Sequence, residues 1–363
     1  MGFLSLLYNP LTLGSALLLS ISILIIYSSS VNLAFQQASF VFFGFIIYFL
    51  VSKLDYRILK NFSIYAYIFT ILLLLIVLAL GIETRGSVRW IPLGFFNIQP
   101  SELAKPVLIL MLANFWSKSL PSWRNIGISL LIALPVVFLV FEQPDLGSAL
   151  TIFAIWVGML IPVKISFKKL LVLLVILILM APVGWFSLED YQKQRIFSFL
   201  SPYEDPLGIG YNIIQSTIAV GSGQFLGRGL GHGTQSRLQF LPESRTDFIF
   251  AFIAEELGFM GAMIIIGLHV FLIYYLFKIA DQARDKFGYL IIFGIVSMLF
   301  FQSFVNVGMN IGILPITGIT LPLVSYGGSS LLATLLSLGL VLSIARYRKK
   351  IDSESIRVDI SPS

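Results

Sequence analysis

The residues with the most chemical capacity are carboxylates and cations held where an apolar chain has little reason to keep them. Asp247, Glu255 and Glu256 lie in FLPESRTDFIFAFIAEELGFMGAMIIIGLHVFLIYYLF, residues 240–277, which opens like a loop and continues as an apolar run long enough to cross a membrane. Carboxylates at hydrocarbon depth are costly, so they usually face a water-filled cavity or serve a function. Positions 247, 251, 254, 255 and 258 form one helical stripe of Asp, Ala, Ala, Glu and Gly. Its small members permit close helix approach or leave room for a ligand. Glu102 and Lys105 in QPSELAKP are i,i+3 neighbours on one helix face, suited to a private salt bridge or to offering Lys105 to an anion. Asp145 in EQPDLGS, with Arg85, Arg89 and Arg245, completes a group at one level. A carboxylate base beside several cations suits chemistry on a charged lipid head group, because guanidinium binds pyrophosphate bidentately and ammonium as a point charge.

Each member also has a plainer reading. Thr246 and Asp247 are good helix N-caps, and Asp145 could cap its own helix. Glu255 and Glu256 read as structural acids satisfied by neighbouring helices or polar groups of the cytoplasmic half.

The elements that must position these residues follow from composition. The chain has 363 residues, 57% of them hydrophobic and only 12% charged, which excludes a soluble domain. The continuous apolar runs lack the alternation of a membrane barrel, so the fold class is an all-α polytopic membrane protein. Ten spans are expected, with cores near 12–28, 33–51, 63–82, 102–117, 126–141, 147–162, 169–186, 247–277, 288–310 and 320–345. Most of the 24 lysines and arginines fall in alternating connections, around Lys53 to Lys60, Lys118 to Arg124, Lys164 to Lys169, Lys278 to Lys286, and in the tail from Arg346. The positive-inside rule then places both termini in the cytoplasm and the remaining cations outside. The +6 net charge reads as topology and lipid surface, not nucleic acid. The N-terminus lacks a basic region and a cleavage site, so it reads as a retained span. Without cysteine there is no disulfide, thiol catalysis or thiolate metal site.

A single membrane domain over 1–363 is expected, with 187–246 as a large extracytoplasmic loop between spans seven and eight and 346–363 as a cytoplasmic tail. The loop's glycines, from Gly221 to Gly233, lack the Lys-Ser/Thr and the preceding strand of a nucleotide cradle, and read as a turn-rich, partly re-entrant segment. GYNIIQSTIAV is either a short amphipathic helix or packed loop. His232 and His269 have no metal-ligand spacing, and His269 reads as a packing residue.

RGSVRWIPLGFFNIQPSELAKP, EQPDLGSAL, GYNIIQSTIAVGSG, LPESRTDFIFAFIAEELGFMGA and GILPITGITLPLVSYGGSS together resemble the SEDS family (shape, elongation, division and sporulation) over residues 85–330. GTQSRLQFLPESRTDF and the short termini are more similar to its elongation branch, RodA, than to its division branch, FtsW. The resemblance implies a peptidoglycan glycosyltransferase of the bacterial cytoplasmic membrane that polymerises lipid II, an undecaprenyl-pyrophosphate-linked disaccharide pentapeptide. Its active site would face outside, and its partners would be a class B penicillin-binding protein and the elongation machinery. The family's essential aspartate maps onto Asp247, the catalytic base, and its cavity residues onto Glu102, Lys105 and Asp145. Arg85, Arg89, Arg245, Glu243, Gln215 and Ser325 in the matching segments complete the substrate-binding candidates. No protein metal site or cofactor is required; a divalent cation, magnesium or manganese, stays open as an aid to the leaving group.

Two readings compete. A flippase for a lipid-linked precursor would show discontinuous half-helices in paired repeats, and a scaffold without chemistry would leave the outer cations unexplained.

Overall fold

A computed structural model describes residues 9–80, 82–84, 87–92, 97–186, 188–208, 210–237 and 240–358. Among the described residues, ten helices of 15 residues or more overlap the ten expected spans. They are α1 (Pro10–Ser29), α2 (Val31–Lys53), α3 (Leu59–Leu80), α4 (Pro100–Lys118), α5 (Trp123–Glu142), α6 (Leu146–Leu160), α7 (Phe167–Phe186), α11 (Ile249–Ala280), α12 (Lys286–Asn310) and α13 (Gly328–Val358). The connection between α7 and α11 holds three shorter helices, α8 (Asp190–Leu200), α9 (Tyr211–Ser222) and α10 (Thr234–Arg237). Among the described residues, seven helices are long and apolar enough to cross a membrane, and α6 is apolar but shorter. The chain is an all-α polytopic membrane protein.

Local sequence explains many of the helix starts. Asn9, Ser122, Asp145 and Asp285 each accept a hydrogen bond from a first-turn N–H of α1, α5, α6 and α12, which satisfies donors a helix cannot bond internally. The bundle's outer surface is apolar, with Phe35, Phe42, Phe62 and Leu131 exposed, as lipid contact requires. Inside, α2 lies along α13, and the two approach closely because a β-carbon at Gly339 would stand 2.8 Å from the Tyr48 carbonyl oxygen.

Four expectations are corrected. The segment between α3 and α4 holds a small antiparallel sheet, β1 (Ile82–Thr84), β2 (Ser87–Pro92) and β3 (Asn97–Ile98), in that order; so short a run carries too little alternation to be read as strand. The last helix starts at Gly328 instead of 320, since Pro315 and Pro322 keep 311–327 irregular. GYNIIQSTIAV is helical as α9, whereas α8 and α10 were not foreseen.

The fourth correction concerns Glu255 and Glu256. Their partners come mainly from the glycine-rich connection instead of neighbouring helices. Glu255 accepts from the Gln235 N–H (2.8 Å) and the Thr234 hydroxyl (3.3 Å), and Glu256 from the Gly231 N–H and the Ser28 hydroxyl, each at 2.7 Å. The reason is a break in α11 at Gly258, whose φ of 66° and ψ of −164° suit glycine alone. The loop bonds both sides of the break. Arg228 and Gly229 donate to the Glu255 and Glu256 carbonyls, while Phe259 and Met260 donate to the Gln224 and Phe225 carbonyls. Two carbonyls and two N–H groups beside the kink thereby gain partners, as a buried helix demands.

A Gly258→Ala variant is expected to lose stability by about 1–3 kcal/mol from the dihedral angles alone. Its β-carbon would also stand 2.2 Å from the Gly227 nitrogen. Gly267→Ala, with nothing within 4 Å of its added carbon, serves as the neutral control. Thermal unfolding of the two variants in the same detergent checks this.

Candidate active site

Asp247 sits in the turn just before α11, whose N-cap is Phe248, so its side chain does not cap the helix. Two buried asparagines of α12 hold this turn. Asn306 donates to the Asp247 carbonyl (2.9 Å) and to that of Ile319 (2.7 Å). Asn310 donates to the same Asp247 carbonyl at 3.0 Å and accepts the Ala251 N–H at 2.9 Å through its side-chain oxygen. The Ser216 hydroxyl of α9 binds the Asn310 carbonyl at 2.7 Å, which ties the long connection to the same point. These contacts hold the backbone of Asp247, and none of them uses its carboxylate.

That carboxylate faces the loop between α12 and α13. Gly318 has a φ of 75°, and a β-carbon added there would meet Asp247 Oδ2 at 3.5 Å and Arg195 Nη1 at 3.9 Å. Among the described residues, no other group outside its chain neighbours comes within 4 Å of that point. Glycine thus keeps open a small space between an acid and a cation. Asp247 retains partial exposure. Desolvation, then the negative charge of Glu243, pushes its carboxyl up to about 6 from 3.8, against the pull of Arg195; Asp145 raises it further and Arg89 lowers it.

The neighbouring turn carries Asp145. Its carboxylate caps α6 through the Ser148 N–H (3.1 Å), accepts from Gln99 Nε2 (2.8 Å) and Ser101 Oγ (3.4 Å), and lies 3.7 Å from Arg89 Nη1. Arg89 also donates to the Gln143 and Pro144 carbonyls. The cap and the ion pair are therefore both present.

The other candidates fall around this centre. Lys105 and Glu102 form a buried pair at 2.7 Å, with side-chain exposures of 2% and 8%. Arg245 directs Nε to the Ser29 hydroxyl (2.9 Å), and its carbonyl accepts from the Tyr326 N–H. The Ser325 hydroxyl donates to the Thr246 carbonyl at 2.6 Å and accepts the Leu321 N–H at 2.8 Å, which braces the residue before Asp247. Glu243 is exposed and accepts the Thr246 hydroxyl at 3.0 Å, and Gln215 lies on α9 next to Ser216. Arg85 lies outside the described residues. Among those described, no three His, Asp or Glu side chains converge to hold a metal ion. His269 bonds the Ile265 and Pro322 carbonyls, a packing role.

Arg195 is one of the outer cations the sequence leaves without an orienting role, whereas Gln99, Asn306, Asn310 and Gly318 are not among its candidates. VNVGMN does hold two asparagines at i,i+4 on one face of an apolar helix, a signal of buried polar work. Asn310→Ala should leave the Ala251 N–H buried without a partner, at about 1–3 kcal/mol, and slow turnover by loosening the Asp247 turn. Thermal unfolding and a rate assay on the same preparation check it.

Comparison with known proteins places this arrangement. Residues 3–350 match the FtsW/RodA/SpoVE family, described as cell cycle proteins. The peptidoglycan glycosyltransferase MrdB of Escherichia coli K12 is 41% identical over 338 residues, covering 92% of this chain and 91% of that protein. Stage V sporulation protein E of Bacillus subtilis is 36% identical over 356 residues, covering 93% and 97%. Among solved structures, a peptidoglycan synthase complex that coordinates polymerization and crosslinking contains a chain 36% identical, with a TM-score of 0.81 over 93% of this chain and 97% of that one. The Thermus thermophilus rod shape determining protein RodA is 31% identical, with a TM-score of 0.71, covering 93% and 96%. Shared over nearly the whole length in sequence and in helix arrangement, these features mean that the chain belongs to the FtsW/RodA/SpoVE family.

Proposed function

We propose that the chain is a peptidoglycan glycosyltransferase that polymerises lipid II during cell elongation, with Asp247 as general base. The observation that carries this reading is the Asp247 carboxylate beside the open space at Gly318, with its backbone held by Asn306 and Asn310. The relatives named peptidoglycan glycosyltransferase MrdB and the structural likeness to RodA support the elongation role.

A sugar hydroxyl is too weak an acid to ionise first, so proton removal accompanies attack on an oxocarbenium-like centre. Asp247 takes the proton from the 4-hydroxyl of the acceptor's N-acetylglucosamine as its oxygen bonds to C1 of the donor's N-acetylmuramic acid. The C1–O bond to undecaprenyl pyrophosphate breaks, and the leaving group carries away the electron pair. A single displacement converts an α-linked donor into a β-linked chain. Cations at this end meet the charge on the leaving diphosphate. Arg85 and Arg245 are candidates, and Glu102 with Lys105 supports the site from within the bundle.

The distribution of basic residues supports cytoplasmic termini and an active site on the outer face of the cytoplasmic membrane. A class B penicillin-binding protein would crosslink the product, by analogy with the synthase complex. Purified protein given labelled lipid II, with and without such a partner, should make glycan chains resolvable on a gel. Absence of chains in both reactions would overturn the reading.

A further inference from the structure

Most cations near the Asp247 end already have partners. Arg89 is held by two carbonyls and Asp145, Lys105 is buried against Glu102, and Arg228 is bonded to the Ser222 carbonyl and the Thr234 hydroxyl. Arg195 differs. It is half-buried on α8, and among the described residues its guanidinium makes no hydrogen bond or ion pair. It lies over the Tyr191 ring, 5.6 Å from the centroid, and faces Asp247 across Gly318.

This placement is built into α8. Glu189 and Gln192 form a capping box at its start, which rigidifies the first turn. Buried Gln192 donates at 3.0 Å to the Tyr191 hydroxyl, which donates at 3.2 Å to the Pro144 carbonyl. That carbonyl is also held by Arg89, so α8 is docked on the Asp145 turn. Arg195 follows Tyr191 by four residues, one helical turn along the same face, and is carried over the open space. A half-buried guanidinium with its donors unused, held beside the base by an anchored helix, is prepared for an anion that is not part of the protein.

We propose that Arg195 is a further binding residue for the diphosphate of an isoprenyl-diphosphate-linked substrate, which it grips while Asp247 faces the acceptor hydroxyl. This rests on the glycosyltransferase reading but makes a separate claim, about anion binding. When the sugar–diphosphate bond breaks, the new negative charge stays on phosphate oxygens against the guanidinium.

The test measures thermal stabilisation of the full chain in detergent by farnesyl diphosphate, inorganic pyrophosphate and farnesol. Farnesyl diphosphate should stabilise the wild type, farnesol should not, and Arg195→Gln should weaken the farnesyl diphosphate response at least tenfold. Arg195→Lys should retain part of it, as a point charge does. The loss should persist in an Asp247→Asn background, where a residue that merely balanced the Asp247 charge would have no role. A response to farnesyl diphosphate but not pyrophosphate identifies the lipid carrier as the source of the anion, whereas equal responses assign the site to the diphosphate alone; both support the proposal. An unchanged response in Arg195→Gln, or no wild-type response to either diphosphate, overturns it. Glycan-chain synthesis is scored separately, so loss of polymerisation with Arg195-dependent binding intact counts against the enzymatic reading and not against this one.

Discussion

Replacing Asp247 by asparagine is expected to cut glycan polymerisation by about 10²- to 10⁴-fold, the range a positioned general base contributes, while the protein still folds and inserts. Folding should survive because the groups that hold this turn, Asn306 and Asn310, bond the Asp247 carbonyl, and the helix that follows is not capped by its side chain. The pH dependence adds a second signature. With the carboxyl pushed up to about 6, the wild-type kcat/KM should fall tenfold per pH unit below that value, as the base becomes protonated. Any residual activity of the asparagine variant should lack this limb.

Stability should move the opposite way. A carboxyl raised from 3.8 to about 6 binds protons more tightly in the folded state, so wild-type stability falls as pH rises across that window. Below 3.8 both states are protonated and the effect vanishes; above 6 the cost is fully present. Asp247→Asn should therefore be at least as stable as the wild type at pH 7, with any gain lost in acid. Near-normal polymerisation by a stably folded variant would remove Asp247 from the mechanism.

The second large effect is expected at Glu102 and Lys105. Because both are buried and bonded at 2.7 Å, Lys105→Met alone should strand a carboxylate inside the bundle and cost about 3–5 kcal/mol, as breaking one side of a buried pair does. The double variant Glu102→Gln/Lys105→Met should recover most of that, since two neutral groups no longer require each other. Polymerisation rates in the stable double variant then separate two roles. Recovered activity assigns the pair to holding α4 in place, as its burial favours. Activity still lost in a stable bundle assigns Lys105 to the substrate.

The same distinction between chain and fold runs through the site. Hydropathy was enough for an all-helical membrane bundle, because a span must satisfy its backbone internally and its length is set by the bilayer. Motif spacing was enough for the family, and it named Asp247 as the candidate base. The pairing of Glu102 with Lys105 was equally legible, being a contact between neighbours on one helix turn.

What the sequence could not specify are contacts between groups far apart in the chain. Arg195 faces Asp247 across Gly318 because Tyr191 docks α8 on the Asp145 turn, and Asn310 holds the Asp247 carbonyl across 63 residues. Likewise, Glu255 and Glu256 look like orphaned acids in a hydrophobic helix until the break at Gly258 brings a distant loop against them. Residue type and local period determine which elements form and which faces are apolar. The surroundings of a buried charge depend on the whole bundle, because polar groups removed from water must find partners wherever the tertiary fold supplies them.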